Sequence, residues 1–66
     1  MKISFNGNEL EITANITLVD FMDNKNLVFE HTLIELNGKI LSKEEKHEAI
    51  LSDGDNVAAF TLVSGG

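Results

Sequence analysis

A chain of 66 residues has room for one small domain. At that size folding buries only ~60% of the surface the unfolded chain exposes, so stability rests on a single core. The absence of cysteine excludes a disulfide, a thiolate-bound metal and a persulfide on any side chain. Five lysines, no arginine and eleven acids give a net charge of −6; such a surface repels phosphate backbones and suits a basic protein partner, or solubility alone.

In chain order, Lys2 to Phe5 alternates as a strand, with Ile3 and Phe5 facing one way. Asn6-Gly7-Asn8 is a turn signal, because Asn and Gly tolerate positive φ. Glu9 to Thr13 continues as a second strand with Leu10 and Ile12 on one face, so the two form a hairpin. Thr17 offers an N-cap with Asp20 at the third helical position. Leu18, Phe21 and Met22 recur at helical spacing, and Asn24 and Asn26 end that helix without a glycine. Residues 32–36 form a third strand, Asn37-Gly38 a tight turn, and Ile40 and Leu41 a short return strand. Ser42 and Glu45 make a capping-box pattern that opens a short helix through about Ala49. Asp53-Gly54-Asp55 is the last turn, and Asn56 to Val63 the last strand.

This order predicts an α+β domain: a mixed sheet packed on one face by one main helix, plus a short helical turn. Order and size suit a β-grasp, the architecture of ubiquitin-like proteins, over residues 1–63, with residues 64–66 as a flexible tail. In the last strand Val57, Ala59, Thr61 and Val63 share one face, and Ala58, Phe60 and Leu62 share the other. A single helix covers only one face of a sheet, so Phe60 and Leu62 are candidates for a docking patch. A bulge near Phe60 would instead turn these side chains into the core.

After Val63 the chain reads Ser64-Gly65-Gly66. Three extended residues reach roughly 10 Å, and glycine lets a tail enter a narrow channel in another protein. A terminal carboxylate on Gly66 has a reference pKa near ~3.5 and is ionised at neutral pH. It is a competent nucleophile toward the α-phosphate of ATP, giving an acyl-adenylate from which sulfur displaces AMP to leave a thiocarboxylate. The chain has no P-loop, so ATP, Mg²⁺ and the activating residues are expected from a partner, with no cofactor bound by this chain.

The residues resemble those of the ThiS family, the sulfur carriers of thiamin biosynthesis, over essentially the whole length. The matching segments are Ile3-Ser4-Phe5-Asn6-Gly7, Thr17-Leu18-Val19-Asp20 and Leu36-Asn37-Gly38-Lys39-Ile40. Asp53-Gly54-Asp55 and the final strand with Phe60 and Val63-Ser64-Gly65-Gly66 complete them. The resemblance implies a stoichiometric carrier rather than an enzyme. Gly66 would be adenylated by a ThiF-type adenylyltransferase, loaded from a sulfur-donor protein and discharged to a ThiG-type thiazole synthase. Ser64 and Gly65 would enter the partner, and Phe60 would make an apolar contact to the activating enzyme. Ser42-Lys43 and Ser64 depart from the family's common Pro-Arg and Ala, away from the reactive atom. Three alternatives stay open: a MoaD-like carrier for molybdopterin synthesis, a ubiquitin-like protein modifier, and a passive interaction module.

Other constellations read as structural. His31 and His47 are far apart and without cysteine, so surface histidines are expected and no metal site. Asp53-Gly54-Asp55 lacks the further ligands of a calcium loop. Glu44, Glu45 and Glu48 read as a solvated helix face. No apolar run approaches the ~20 residues of a membrane span, and Met1 to Phe5 is strand-like with no signal-peptide core. A cytoplasmic protein, monomeric when free, is the expectation.

Overall fold

Two Asn-Gly pairs set the sheet. Each takes positive φ at both residues (Asn6 50°, Gly7 84°; Asn37 53°, Gly38 86°), the type I′ geometry whose twist matches that of paired strands. The first joins β1 (Lys2–Phe5) to β2 (Asn8–Glu11), and the second joins β3 (Thr32–Leu36) to β4 (Lys39–Ile40). In the computed structural model, which describes residues 1–61, these hairpins flank β5 (Asn56–Thr61) in a sheet of order β2-β1-β5-β3-β4. β5 runs parallel to β1 and antiparallel to β3, which makes the sheet mixed, as expected.

Strand ends differ from the sequence reading for reasons of register. β2 was expected to reach Thr13 but stops at Glu11. Lys2 lies opposite Glu11, so only Met1 remains to pair, and it exchanges two bonds with Ile12 at 2.8 Å. The two-residue turn puts Lys39 opposite Leu36 and Ile40 opposite Glu35. The return strand covers Lys39–Ile40, and Leu41 follows it with one further bond, its N–H donating to Ile34 O at 2.9 Å, while its side chain packs on the core. Leu62 and Val63, expected to complete the last strand, lie outside the described residues.

The main helix, α1 (Leu18–Asn24), starts where Thr17 Oγ1 accepts from the Asp20 N–H at 3.1 Å. It ends at Asn24 with Lys25 as its C-cap, and Asn26 follows at φ 59°. Asn26 N–H donates to Asp23 O at 3.0 Å and Leu27 N–H to Met22 O at 2.9 Å. That is a Schellman closure made by asparagine in the left-handed position usually held by glycine. α1 buries Leu18, Phe21 and Met22 against Ile3, Ile34, Leu51 and Val57. Phe5 meets Phe21 edge-on, with ring centroids 5.2 Å apart at 82°, an arrangement the ring quadrupoles favour.

The second helix, α2 (Lys43–Glu48), carries a full capping box. Ser42 Oγ accepts from the Glu45 N–H at 3.1 Å, and Glu45 Oε1 accepts from the Ser42 N–H at 2.8 Å. The other Glu45 oxygen meets Lys39 Nζ at 2.7 Å. The hydrogen bond from Lys39, then that from the Ser42 backbone, holds the Glu45 carboxyl below its ordinary value of 4.5.

α2 does more than present acids to solvent. Lys46 is only 8% exposed. Its Nζ donates to Phe29 O at 2.8 Å and Thr32 O at 2.9 Å, and lies 4.2 Å from the Phe29 ring centroid. The ammonium thus pins α2 to β3 and to a 3-10 turn at Phe29–His31 that the sequence does not announce. A buried ammonium needs such acceptors, since an unpaired charge would be expelled. No helix among the described residues is long and apolar enough to cross a membrane.

Two outcomes follow from α2. Lys46→Met removes the ammonium and leaves two carbonyls short of a donor, so urea unfolding should show a loss of about 1–3 kcal/mol. A depressed carboxyl stabilises the fold above its unfolded pKa and loses that contribution as pH falls through the folded one. Acid titration of unfolding below about 4.5 should therefore show a steeper decline in the wild type than in Glu45→Gln.

Candidate functional site

Alternation along β5 divides its side chains between two environments. Val57 is fully buried and Ala59 packs on the core, while Ala58 and Phe60 point to the sheet face away from α1. The ladder to β3 runs without interruption from Leu36↔Val57 to Thr32↔Thr61. No bulge turns Phe60 inward, and the residue is 50% exposed.

The register adds neighbours that the sequence reading did not name. Leu33 is directly opposite Phe60, and Ala58 is opposite Glu35. Ile40, exposed on β4, is opposite Glu35 on the other side. Directly opposed side chains on one sheet face lie ~5 Å apart at Cβ, so Phe60 and Leu33 form the centre of an apolar patch that Ala58 and Ile40 extend. The available signal was the Leu33-Ile34 pair: in a strand, adjacent apolar residues cannot both face one core. Toward β1 and β2 the same face becomes polar, with Ser4, Lys2, Glu9 and Glu11 in register. Glu35 stands within the apolar half. An apolar centre with an acidic margin suits a partner whose own apolar contact is ringed by basic groups.

Leu62, Ser64, Gly65 and Gly66, the other residues singled out in the sequence, lie outside the described residues. Thr61 is the last residue the structure describes, next to Phe60 on β5, so the patch adjoins the strand end from which those residues continue.

The remaining candidates resolve into architecture. Asp53 Oδ1 accepts from the Lys2 N–H at 2.8 Å. Asp55 accepts from the Ser52 N–H at 2.8 Å and from Asn37 Nδ2 at 3.0 Å. Both carboxylates thus brace a turn whose Gly54 takes φ 86°. The ring of His47, an exposed residue, stacks on Phe29 at 4.3 Å and a 32° tilt, and His31 is exposed in the 3-10 turn. Among the described residues no three His, Asp or Glu are grouped to hold a metal ion. Glu45 is committed to the α2 cap, while Glu44 and Glu48 are solvated.

Comparison with known proteins agrees with this architecture. The crystal structure of a thiamine biosynthesis protein (ThiS) from Geobacter metallireducens matches with a TM-score of 0.84 at 23% identity, covering 100% of both chains. The NMR solution structure of a thiamine biosynthesis protein from the same organism matches with a TM-score of 0.81 at 23% identity, covering 100% of this chain and 88% of the other. At that identity the likeness establishes the fold, a ubiquitin-like β-grasp. A search of the curated proteins finds no match. The ThiS family model, in contrast, aligns with residues 3–66, almost the entire sequence. The chain accordingly belongs to the ThiS family of small sulfur carrier proteins.

Proposed function

We propose that this chain carries sulfur for thiazole formation in thiamin biosynthesis, on the carboxyl group of Gly66. The observation that carries the reading is the family match, which extends through residue 66 and so includes the Ser64-Gly65-Gly66 segment. The exposed Phe60 patch beside the end of β5 supports it, because a carrier must present a docking surface close to its reactive group. The absence of cysteine supports it again, since no side chain offers a thiolate to hold the sulfur.

In the proposed sequence a carboxylate oxygen of Gly66 attacks the α-phosphorus of ATP and pyrophosphate leaves. The product is a mixed anhydride with AMP. A persulfide sulfur from a donor protein then attacks the acyl carbon and AMP departs. Reductive cleavage of the resulting acyl disulfide by a thiol leaves the thiocarboxylate. A ThiF-type adenylyltransferase would supply the ATP site and Mg²⁺, and a ThiG-type thiazole synthase would take the sulfur. This chain contributes the acyl group and the docking face, working stoichiometrically in the cytoplasm. Phe60, together with Leu62, makes the apolar contact to the activating enzyme, while Ser64 and Gly65 thread its channel.

Intact mass tests the chemistry. After incubation with ATP, a ThiF-type enzyme and a sulfur donor, the protein should gain the difference between sulfur and oxygen. Deleting Gly66 should abolish the gain. An unchanged mass overturns the reading, and conjugates on lysines of other proteins would favour a modifier. Phe60→Ala tests the docking face: binding to the activating enzyme should weaken by about 1–2 kcal/mol, while unfolding shifts by less than about 1 kcal/mol. A large stability loss with intact binding would assign Phe60 to the fold alone.

A further inference from the structure

β5 is held unequally along its length. On the β3 side the ladder continues to Thr61. On the β1 side strand pairing covers only Ser4↔Asn56 and Phe5↔Val57, because β1 then turns away through Asn6-Gly7. The residues that carry the docking patch, Ala58 to Phe60, therefore lie beyond the last strand pair on that side.

Asn6 fills the gap. Its own N–H donates to Val57 O at 2.9 Å, continuing the backbone ladder by one bond. Its side chain then reaches further: Oδ1 accepts from the Ala59 N–H at 2.8 Å, across 53 positions of sequence. A backbone N–H only donates, so the amide oxygen is the atom that faces it. A side chain thus stands in for the strand residue that would otherwise pair with Ala59, the residue immediately before Phe60.

The other Asn-Gly turn makes the same device at the opposite end of β5. Asn37 Oδ1 accepts from the Asn56 N–H at 2.8 Å, and Asn37 N–H donates to Asn56 O at 2.8 Å. One asparagine clamps the start of the strand, the other its docking half. The chemistry is alike and only the position differs.

We propose that Asn6 is a positioning residue for carrier docking: by holding Ala59 it fixes the docking half of β5, so that Phe60 meets the activating partner already ordered. This rests on the carrier reading above. A strand end that is loose when free must be ordered on docking, and that lost freedom weakens association. Once docked, the reacting group occupies the same place, so turnover is unaffected.

The test varies the carrier as substrate in an ATP–pyrophosphate exchange assay with a ThiF-type enzyme. Asn6→Gly removes the amide while tolerating the positive φ of the turn, and Asn6→Asp keeps an acceptor at the same reach. Asn37→Gly is the matched change at the far end of β5. Asn6→Gly should raise KM roughly fivefold, the equilibrium worth of one such hydrogen bond, with kcat unchanged. It should also speed hydrogen exchange at the Ala59 amide. Asn6→Asp and Asn37→Gly should keep the wild-type KM. An unchanged KM in Asn6→Gly overturns the inference, as does an equal rise in Asn37→Gly, which would mark a general loss of stability. Wild-type protein that supports no exchange overturns the carrier reading itself, and this inference with it.

Discussion

One helix of seven residues covers one face of the sheet, and the layout of the molecule follows from that asymmetry. The covered face holds Ile3, Ile34 and Val57 against Leu18, Phe21 and Met22, with Leu51 closing the cluster. A domain this small has no second layer with which to bury the other face. The apolar residues there, Phe60, Leu33, Ala58 and Ile40, are consequently not failed core positions. They are what remains when a strand must alternate and only one side is roofed. A surface of that kind suits a molecule that works by being held by others.

The second helix shows how a minimal core is extended without more hydrophobic mass. Lys46 reaches under α2 to two carbonyls and an aromatic ring. Thr32, also buried, returns a bond from Oγ1 to Val28 O at 2.8 Å. Together they turn a polar helix, a 3-10 turn and the start of β3 into one unit. Ala49 and Leu51 then join it to α1, since Leu18 N–H donates to Ala49 O and Leu51 N–H to Ile16 O, both at 2.9 Å. Polar groups are in the interior here because each finds a partner, and none of the described buried side-chain nitrogen or oxygen atoms is left without one.

The legible parts of the sequence were those whose signal is local. Asn6-Gly7 and Asn37-Gly38 announce type I′ turns by residue type alone. Ser42 with Glu45 announces a helix start, and Leu18, Phe21 and Met22 announce its buried stripe. Phe60 was legible as an outward residue because strand period is strict. What escaped depends on partners distant in sequence. Leu33 and Ile40 join Phe60 only through register. Lys46 sits among acids, and composition hides the carbonyls that bury it. The Phe29–His31 turn has no periodicity to betray it. Asn6 announces itself as a turn residue by type, while its second task, gripping Ala59, lies outside any local pattern.

The edges of the sheet have a consequence of their own. β2 lies at one border and carries Glu9 and Glu11; β4 lies at the other, two residues long and opening with Lys39. Short, charged borders are poor templates for a further strand from a second molecule. The apolar face can stay uncovered between encounters without backbone edges seeding a growing ribbon. The exposed apolar side chains and the unpaired main chain are thereby kept on different parts of the molecule, so a sheet left unroofed on one face need not stack on itself.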